Sequence, residues 1–135
     1  MTSDIVSVDT NILIYLYDDT NKSKRSKAKD ILATNPKISA QVISEYLNTI
    51  RRLLNLPKAN ILINAATAFS GCDIIPVTPI TLLSASGLTK QYHFQLFDAV
   101  IVASALESGC NILYSEDMHN GLLVNNKLKI VNPFL

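Results

Sequence analysis

The sequence predicts an α/β fold, a three-layer α/β/α sandwich in which helices cover both faces of a central, mostly parallel sheet. Short apolar runs of strand length alternate with longer segments whose apolar residues recur at helical spacing. Strands separated by helices pair in parallel and are buried on both faces. With 135 residues, of which 48% are hydrophobic, we expect one domain over residues 1–135 with a substantial core.

The first predicted element is a buried strand over residues 5–8, which ends at Asp9. Thr10 or Asn11 can cap the next helix, because their side-chain oxygens can accept hydrogen bonds from its first free N–H groups. This helix continues through residues 12–16. The later elements are helices over 22–33, 40–54, 58–69, 80–91 and 95–108, and strands over 37–39, 73–77, 111–115 and 129–131.

Local signals set most of these boundaries. Asn35-Pro36 stops the helix of residues 22–33, and Pro79 suits the first turn of the helix that follows it. Pro76 makes the strand of residues 73–77 short or places it at an edge. Gly109 is a natural end for the nearly all-apolar helix of residues 95–108, which can open at Gln95 or Asp98.

Composition excludes several classes of protein. No apolar run is long enough to span a bilayer, and the start, Met1-Thr2-Ser3-Asp4, has no signal-peptide shape, so we expect a cytoplasmic protein. Cys72 and Cys110 are then expected as reduced, small core residues. Their spacing relative to the two histidines does not suit zinc. The sequence also lacks a Gly-rich phosphate loop and a Ser or Cys nucleophile with a His signature.

Charge is unevenly distributed along the chain. The net charge is +1, but the span from Lys22 to Lys58 holds nine basic and two acidic residues, a local net charge of +7. A basic flank beside an acidic, metal-holding centre would suit a phosphate-backbone substrate. An ordinary solvated helix face over residues 22–29 explains the same pattern equally well.

Four carboxylates stand out from apolar surroundings. Asp9 and Asp117 each follow a predicted strand, Asp98 opens the apolar helix, and Glu45 lies in a mostly apolar helical stretch. No Lys or Arg lies within four residues of the three aspartates. Because strand ends face the ligand crevice of such sheets, we expect Asp9 and Asp117 to point into it. If the fold gathers all four acids, the natural counter-charge is a divalent cation such as Mg²⁺ or Mn²⁺.

Each acid also has a simpler interpretation. Asp9 can cap a helix, and Asp98 can interact favourably with a helix N-terminus. Glu45 falls on the same helix face as Arg52 and can form a solvated ion pair with it. Glu116 is an alternative to Asp117 as the acid that follows the strand.

Four segments together resemble the PIN domain, and specifically the VapC-type toxins of prokaryotic toxin–antitoxin pairs. Val8-Asp9-Thr10-Asn11 resembles the first acidic motif of that family, and the stretch from Ser39 to Tyr46, with Gln41 and Glu45, resembles the second. The third motif is resembled by Phe97-Asp98-Ala99, and the fourth by Ser115-Glu116-Asp117. The match runs over nearly the whole chain, and Ser115 stands where Thr is commoner.

The resemblance implies a metal-dependent endoribonuclease whose acidic pocket consists of Asp9, Glu45, Asp98 and Asp117. Asp9 and Asp98 would be the most direct ligands of Mg²⁺ or Mn²⁺, with Glu45 and Asp117 as further candidates. Asn11 and Ser115 would support the pocket by hydrogen bonding. The implied partners are an RNA substrate, a small cognate antitoxin protein and a second copy of the chain in a homodimer, with no membrane.

Two alternatives stay open. A housekeeping PIN-domain nuclease that processes RNA would carry the same acids, and a small antitoxin gene next door would distinguish the toxin from it. A non-catalytic RNA- or protein-binding module of the same fold would bind without cleaving. The four acids argue against that module, because an acidic pocket without metal repels phosphate.

Overall fold

The architecture is that of an α/β/α sandwich, described by a computed structural model over residues 3–135. The predicted fold class is confirmed. Met1 and Thr2, the first two residues of the stretch Met1-Thr2-Ser3-Asp4 in which no signal-peptide pattern was expected, lie outside the described residues. The strands are β1 (Val6–Val8), β2 (Ile38–Ser39), β3 (Ile74–Ile75), β4 (Ile112–Tyr114), β5 (Leu123–Val124) and β6 (Leu128–Val131). The helices are α1 (Thr10–Ile14), α2 (Lys22–Ala33), α3 (Ala40–Leu53), α4 (Lys58–Ala68), α5 (Pro79–Tyr92) and α6 (Leu96–Glu107), and a 3₁₀ turn (Tyr15–Tyr17) follows α1.

The sheet is mostly parallel, and Asp9 and Asp117 follow two of its central strands, β1 and β4. Four strands run in the order β1-β4-β6-β5, with β5 antiparallel to β6 and the other pairs parallel. A parallel pair, β2 and β3, joins this sheet through a single bridge between Ser7 and Lys37. There the Lys37 amide donates to the Val6 carbonyl oxygen at 2.8 Å. The strand β1 therefore lies in the interior, between β2 and β4.

Helix α6 is the buried centre of the helical layers. Residues 99–105 are all buried, as expected for a helix that is apolar all round. It packs chiefly against α5 and also contacts α3 and β2. The hydroxyl oxygens of Ser39, at the start of α3, and Ser104, on α6, lie 3.0 Å apart in the core. Because each can satisfy the other, α3 and α6 are fixed relative to one another without exposing a polar group.

Two expectations about local structure were wrong. The cap of α1 is Asp9 itself, whose side chain accepts a hydrogen bond from the Thr10 amide, so neither Thr10 nor Asn11 has that role. The strand β5 was also not expected; it has two residues and lies in a hairpin that Asn125 and Asn126 turn with positive φ angles of 51° and 56°. So short a strand has too few residues to show an alternating pattern.

The expectations about the cysteines fit the structure. Cys110 is buried and Cys72 is partly buried, and both are free thiols. Within residues 3–135, no helix has both the length and the apolar character that crossing a membrane requires.

Candidate active site

The most buried acid, Asp9, is held by residues of two neighbouring strands. Its backbone amide donates to the Tyr114 carbonyl oxygen at 2.9 Å, which extends the β1–β4 pairing by one residue. The Ser115 hydroxyl donates to one carboxylate oxygen at 2.8 Å, and the Thr10 amide donates to the other at 2.7 Å. Asp9 is only 5% exposed. Burial raises its pKa, the two hydrogen bonds lower it, and the charge of Asp117 raises it further.

Asn11 holds the second strand-end acid. Its side-chain NH₂ group donates to an Asp117 carboxylate oxygen at 2.9 Å, and its side-chain oxygen accepts a hydrogen bond from the Glu116 backbone amide at 3.4 Å. The Ser115 hydroxyl in turn accepts the Met118 amide at 3.2 Å. The segment after β4 is thus fastened to the start of α1, and the exposed Asp117 carboxylate is directed toward the pocket.

The Glu45 carboxylate does not pair with Arg52. Its carboxylate accepts a hydrogen bond from the Gln41 side chain one turn earlier, at 3.3 Å. Arg52 instead donates through Nε to the Asn48 carbonyl oxygen of its own helix. Partial burial raises the pKa of Glu45, and the charge of Asp9 adds to the rise. The ion-pair interpretation of Glu45 is therefore wrong.

Asp98 shows that the four acids converge. It lies in the first turn of α6, half-buried. Burial raises its pKa from 3.8 to about 6, and the charges of Asp9, Glu45 and Asp117 all contribute to the rise. Like charges have this effect only across short distances. Residues from four separate segments of the chain thus form one acidic pocket.

Within the described residues, no Lys or Arg side chain pairs with the acids of this pocket. The ion pairs within residues 3–135 are Lys24–Glu116 and Arg25–Asp19, and neither includes one of the four acids. The Thr10 hydroxyl, on a residue only 8% exposed, is buried next to the Glu45 carboxylate and lowers its pKa. Carboxylates without a basic partner and a buried hydroxyl are hard oxygen donors of the kind that Mg²⁺ and Mn²⁺ select.

The donor set fits a divalent cation in kind, although the acids are not arranged around one. No group of three or more His, Cys, Asp or Glu side chains within residues 3–135 is placed to hold an ion.

Sequence reasoning missed the anchor of the segment that carries Asp117. The neighbouring Glu116 turns away from the pocket, where one carboxylate oxygen accepts the Tyr15 hydroxyl at 2.6 Å and the other pairs with Lys24. The Lys24 ammonium also lies over the Tyr15 ring, 4.8 Å from its centroid. This role excludes Glu116 as the pocket acid. Its partners lie 92 and 101 residues away in sequence, where local patterns give no signal.

Comparison with known proteins identifies the family. The PIN domain profile matches residues 6–119, a span that contains all four acids. The chain belongs to the PIN domain family. No curated protein sequence gives a significant match to this PIN domain.

Solved structures share the fold of this PIN domain over most of their length. A toxin–antitoxin complex from Klebsiella pneumoniae superposes with a TM-score of 0.71 at 24% identity, covering 95% of this chain and 97% of that one. VapC20 of Mycobacterium tuberculosis, a toxin that cleaves the sarcin–ricin loop, gives 0.66 at 19% identity, covering 83% and 89%. VapBC2 of Rickettsia felis, bound to a promoter DNA fragment, gives 0.67 at 18% identity, covering 93% and 96%.

Proposed function

We propose that this PIN domain is a Mg²⁺- or Mn²⁺-dependent endoribonuclease, a single nuclease domain over residues 1–135 that acts in the cytoplasm as the toxin of a toxin–antitoxin pair. The observation that carries the proposal is the effect of three other carboxylates on Asp98, with no Lys or Arg side chain paired with any of the four acids within residues 3–135. Uncompensated negative charge of this kind is unfavourable for the fold alone and is useful where a divalent cation must bind.

Each acid has a distinct position and therefore a distinct proposed role. Asp9 and Asp98 would hold the ion, because Asp9 is the most buried of the four acids and the charges of the other three all act on Asp98. Glu45 and Asp117 would complete the pocket and orient a water molecule or accept its proton. When bound, the ion supplies a coordinated water of lowered pKa and neutralises charge on the phosphate.

The hydrogen bonds around the acids would keep the pocket ready for the ion. Ser115 and the Thr10 amide fix both oxygens of Asp9, so that this carboxylate keeps one orientation. Asn11 does the same for one oxygen of Asp117, and Gln41 for one oxygen of Glu45. Fixed ligands of this kind lose little conformational entropy when they bind.

The surface supports the proposed partners. The basic span from Lys22 to Lys58 offers positive charge for an RNA backbone. Helices α4 and α5 expose large apolar side chains, and Ile63, Ile80 and Leu83 are 63%, 70% and 74% exposed. Exposed apolar patches are typical of protein interfaces, which supports binding of a cognate antitoxin and of a second copy in a homodimer.

An RNA cleavage assay with Mg²⁺ or Mn²⁺ tests the proposal. We would compare wild type with Asp98→Asn, and with Asp30→Asn as a matched control, because Asp30 is an exposed acid on α2 outside the pocket. We expect cleavage by wild type and by the control, and none by Asp98→Asn or in the presence of a chelator. Equal cleavage by all three proteins would refute the proposed site.

A cellular experiment distinguishes the toxin from a housekeeping nuclease. We expect induced expression of wild type, but not of Asp98→Asn, to arrest growth, and we expect the product of a small neighbouring gene to relieve the arrest. Cleavage in vitro without growth arrest would favour the housekeeping enzyme instead.

A further inference from the structure

Both histidines of the chain border the same depression beside the acidic pocket. His93 follows α5, and His119 follows the segment that carries Asp117. The depression has a volume of about 400 Å³, and Asp98 lies at its edge. Its other walls include Tyr92, Phe94 and Gln95. Imidazole, phenol and phenyl rings and two amide side chains, those of Gln91 and Gln95, are thus gathered next to the proposed reacting centre.

The turn that presents His93 has an uncommon backbone. His93 has a φ of 61°, in the left-handed region that residues with a side chain seldom adopt, and its amide closes α5 on the Thr89 carbonyl oxygen at 3.0 Å. The neighbouring Tyr92 is fixed by Asn125, whose amide donates to its hydroxyl at 2.9 Å. The ring of Phe94 packs 5.8 Å from that of Tyr92. The turn is therefore held in place with the imidazole exposed at its tip.

A second depression, which Asp117 borders, has a different chemical character. It has a volume of about 410 Å³, and its walls include the acids Asp18 and Glu116. Its aromatic residue, Tyr15, donates its hydroxyl to Glu116 and is covered by the Lys24 ammonium. Exposed imidazoles and partly exposed aromatic rings that could face a nucleobase are thus concentrated in the depression that the two histidines border.

The side chains that line the depression beside the two histidines are of the kinds that bind unpaired bases in other proteins. Proteins hold splayed bases by stacking them on aromatic side chains, histidine included, and by hydrogen bonds to the base edges. A volume of about 400 Å³ lies within the usual size range of small-molecule sites. A base in a duplex could not reach these groups, because both of its faces are already stacked.

We propose that this depression is a nucleoside subsite that holds one unpaired base of the RNA next to the bond that is cleaved. His93 provides a stacking face, and Gln95 hydrogen-bonds the edge of the base. The inference rests on the proposed nuclease function and adds to it the side chains that hold the base next to the cleaved bond.

Two substitutions remove these groups with little risk to the fold. His93→Asn deletes the imidazole and keeps a residue that tolerates the left-handed conformation. Gln95→Ala is similarly mild, because the Gln95 side chain makes no capping hydrogen bond to α6. The matched control is Asn35→Gly, which deletes a polar side chain at another left-handed position, φ 53°, on the opposite edge of the sheet.

The test combines cleavage kinetics with binding of a short labelled single-stranded RNA. We expect each subsite variant to raise KM about tenfold while kcat stays within about twofold of wild type. In an Asp98→Asn background, fluorescence anisotropy should show the same rise in Kd. The control should match wild type in both measurements, and a duplex of the same sequence should bind more weakly than the single strand.

The outcomes separate the two proposals. Wild-type cleavage with unchanged KM and Kd in both subsite variants would overturn the subsite and leave the nuclease intact. Absence of both cleavage and binding by wild type would overturn the nuclease itself. An equal loss in Asn35→Gly would show that the effect is not local, and it would also overturn the subsite.

Discussion

Asp98→Asn should stabilise the metal-free protein while abolishing its activity. The carboxyl of Asp98 is half-buried among three other acids, and its pKa is raised from 3.8 to about 6. A raised carboxyl pKa favours folding only where the group is protonated in the folded state. That contribution is complete below about pH 3.8 and is lost as pH rises through about 6. Above that pH the folded wild type holds a carboxylate that burial has partly desolvated and that the other acids repel, whereas an amide in its place carries no charge.

The size of the effect follows from the pKa of Asp98. A rise of about two units would correspond to about 3 kcal/mol if the group were fully shielded from water. Because Asp98 is half exposed, solvent screens the repulsion, and we expect about 1 kcal/mol. For a chain of 135 residues, 1 kcal/mol corresponds to a rise in melting temperature of about 3 °C.

Thermal unfolding with a chelator present provides the measurement. We expect Asp98→Asn to melt about 3 °C above wild type at about pH 8, and the gap to close at about pH 4. Asp30→Asn, at an exposed position on α2, should show no such pH-dependent gap. A variant that is less stable than wild type at the higher pH, or a gap that does not change with pH, would refute the electrostatic reasoning.

Three further predictions concern the ion and the residues that hold the acids. Mn²⁺ should raise the melting temperature of wild type and release protons on binding, as a pH-indicator titration would show, and Asp98→Asn should lose both effects. Ser115→Ala removes a hydrogen bond to a buried carboxylate, so we expect it to lower the free energy of unfolding by about 2 kcal/mol and to weaken Mn²⁺ binding at neutral pH. Ser115→Thr, which retains the hydroxyl, should bind Mn²⁺ like wild type when all three proteins are compared by calorimetric titration. Glu116→Gln breaks the ion pair with Lys24 and should weaken Mn²⁺ binding with little change in melting temperature, whereas a large loss of stability would show that the pair supports the fold instead.

Elements with strong local patterns were predictable from the sequence. The charged helix α2 has the predicted bounds, because Asn21 caps it and the chain turns at Pro36. Helix α6 was predicted from its apolar residues, which recur on every side and leave no face for water. Asp9 and Asp117 were expected at strand ends, and the parallel pairing of β1 with β4 brings those ends together.

The side-chain contacts around the site were beyond local patterns. The Glu45 carboxylate and the Arg52 guanidinium lie on one helix, and spacing alone allows a pair that the structure does not contain. The direction of Glu116 depends on Lys24, which tertiary packing brings to it. The conformation of His93 depends on how α5 turns into α6, and sequence gives only a weak signal for such a turn. Partners distant in sequence are selected by the packed fold as a whole.

The long interval between Asp9 and Ser115 has a consequence for how the protein is made. These two residues are hydrogen-bonded across 106 positions, and β1 can pair with β4 only after that length of chain has been synthesised. At about 5–20 residues per second, a ribosome needs about 5–20 s to cover the interval. During that time Asp9 lacks the hydroxyl that orients it, and Asp117 does not yet exist. The proposed nuclease can therefore bring its four acids together only as its synthesis nears the end.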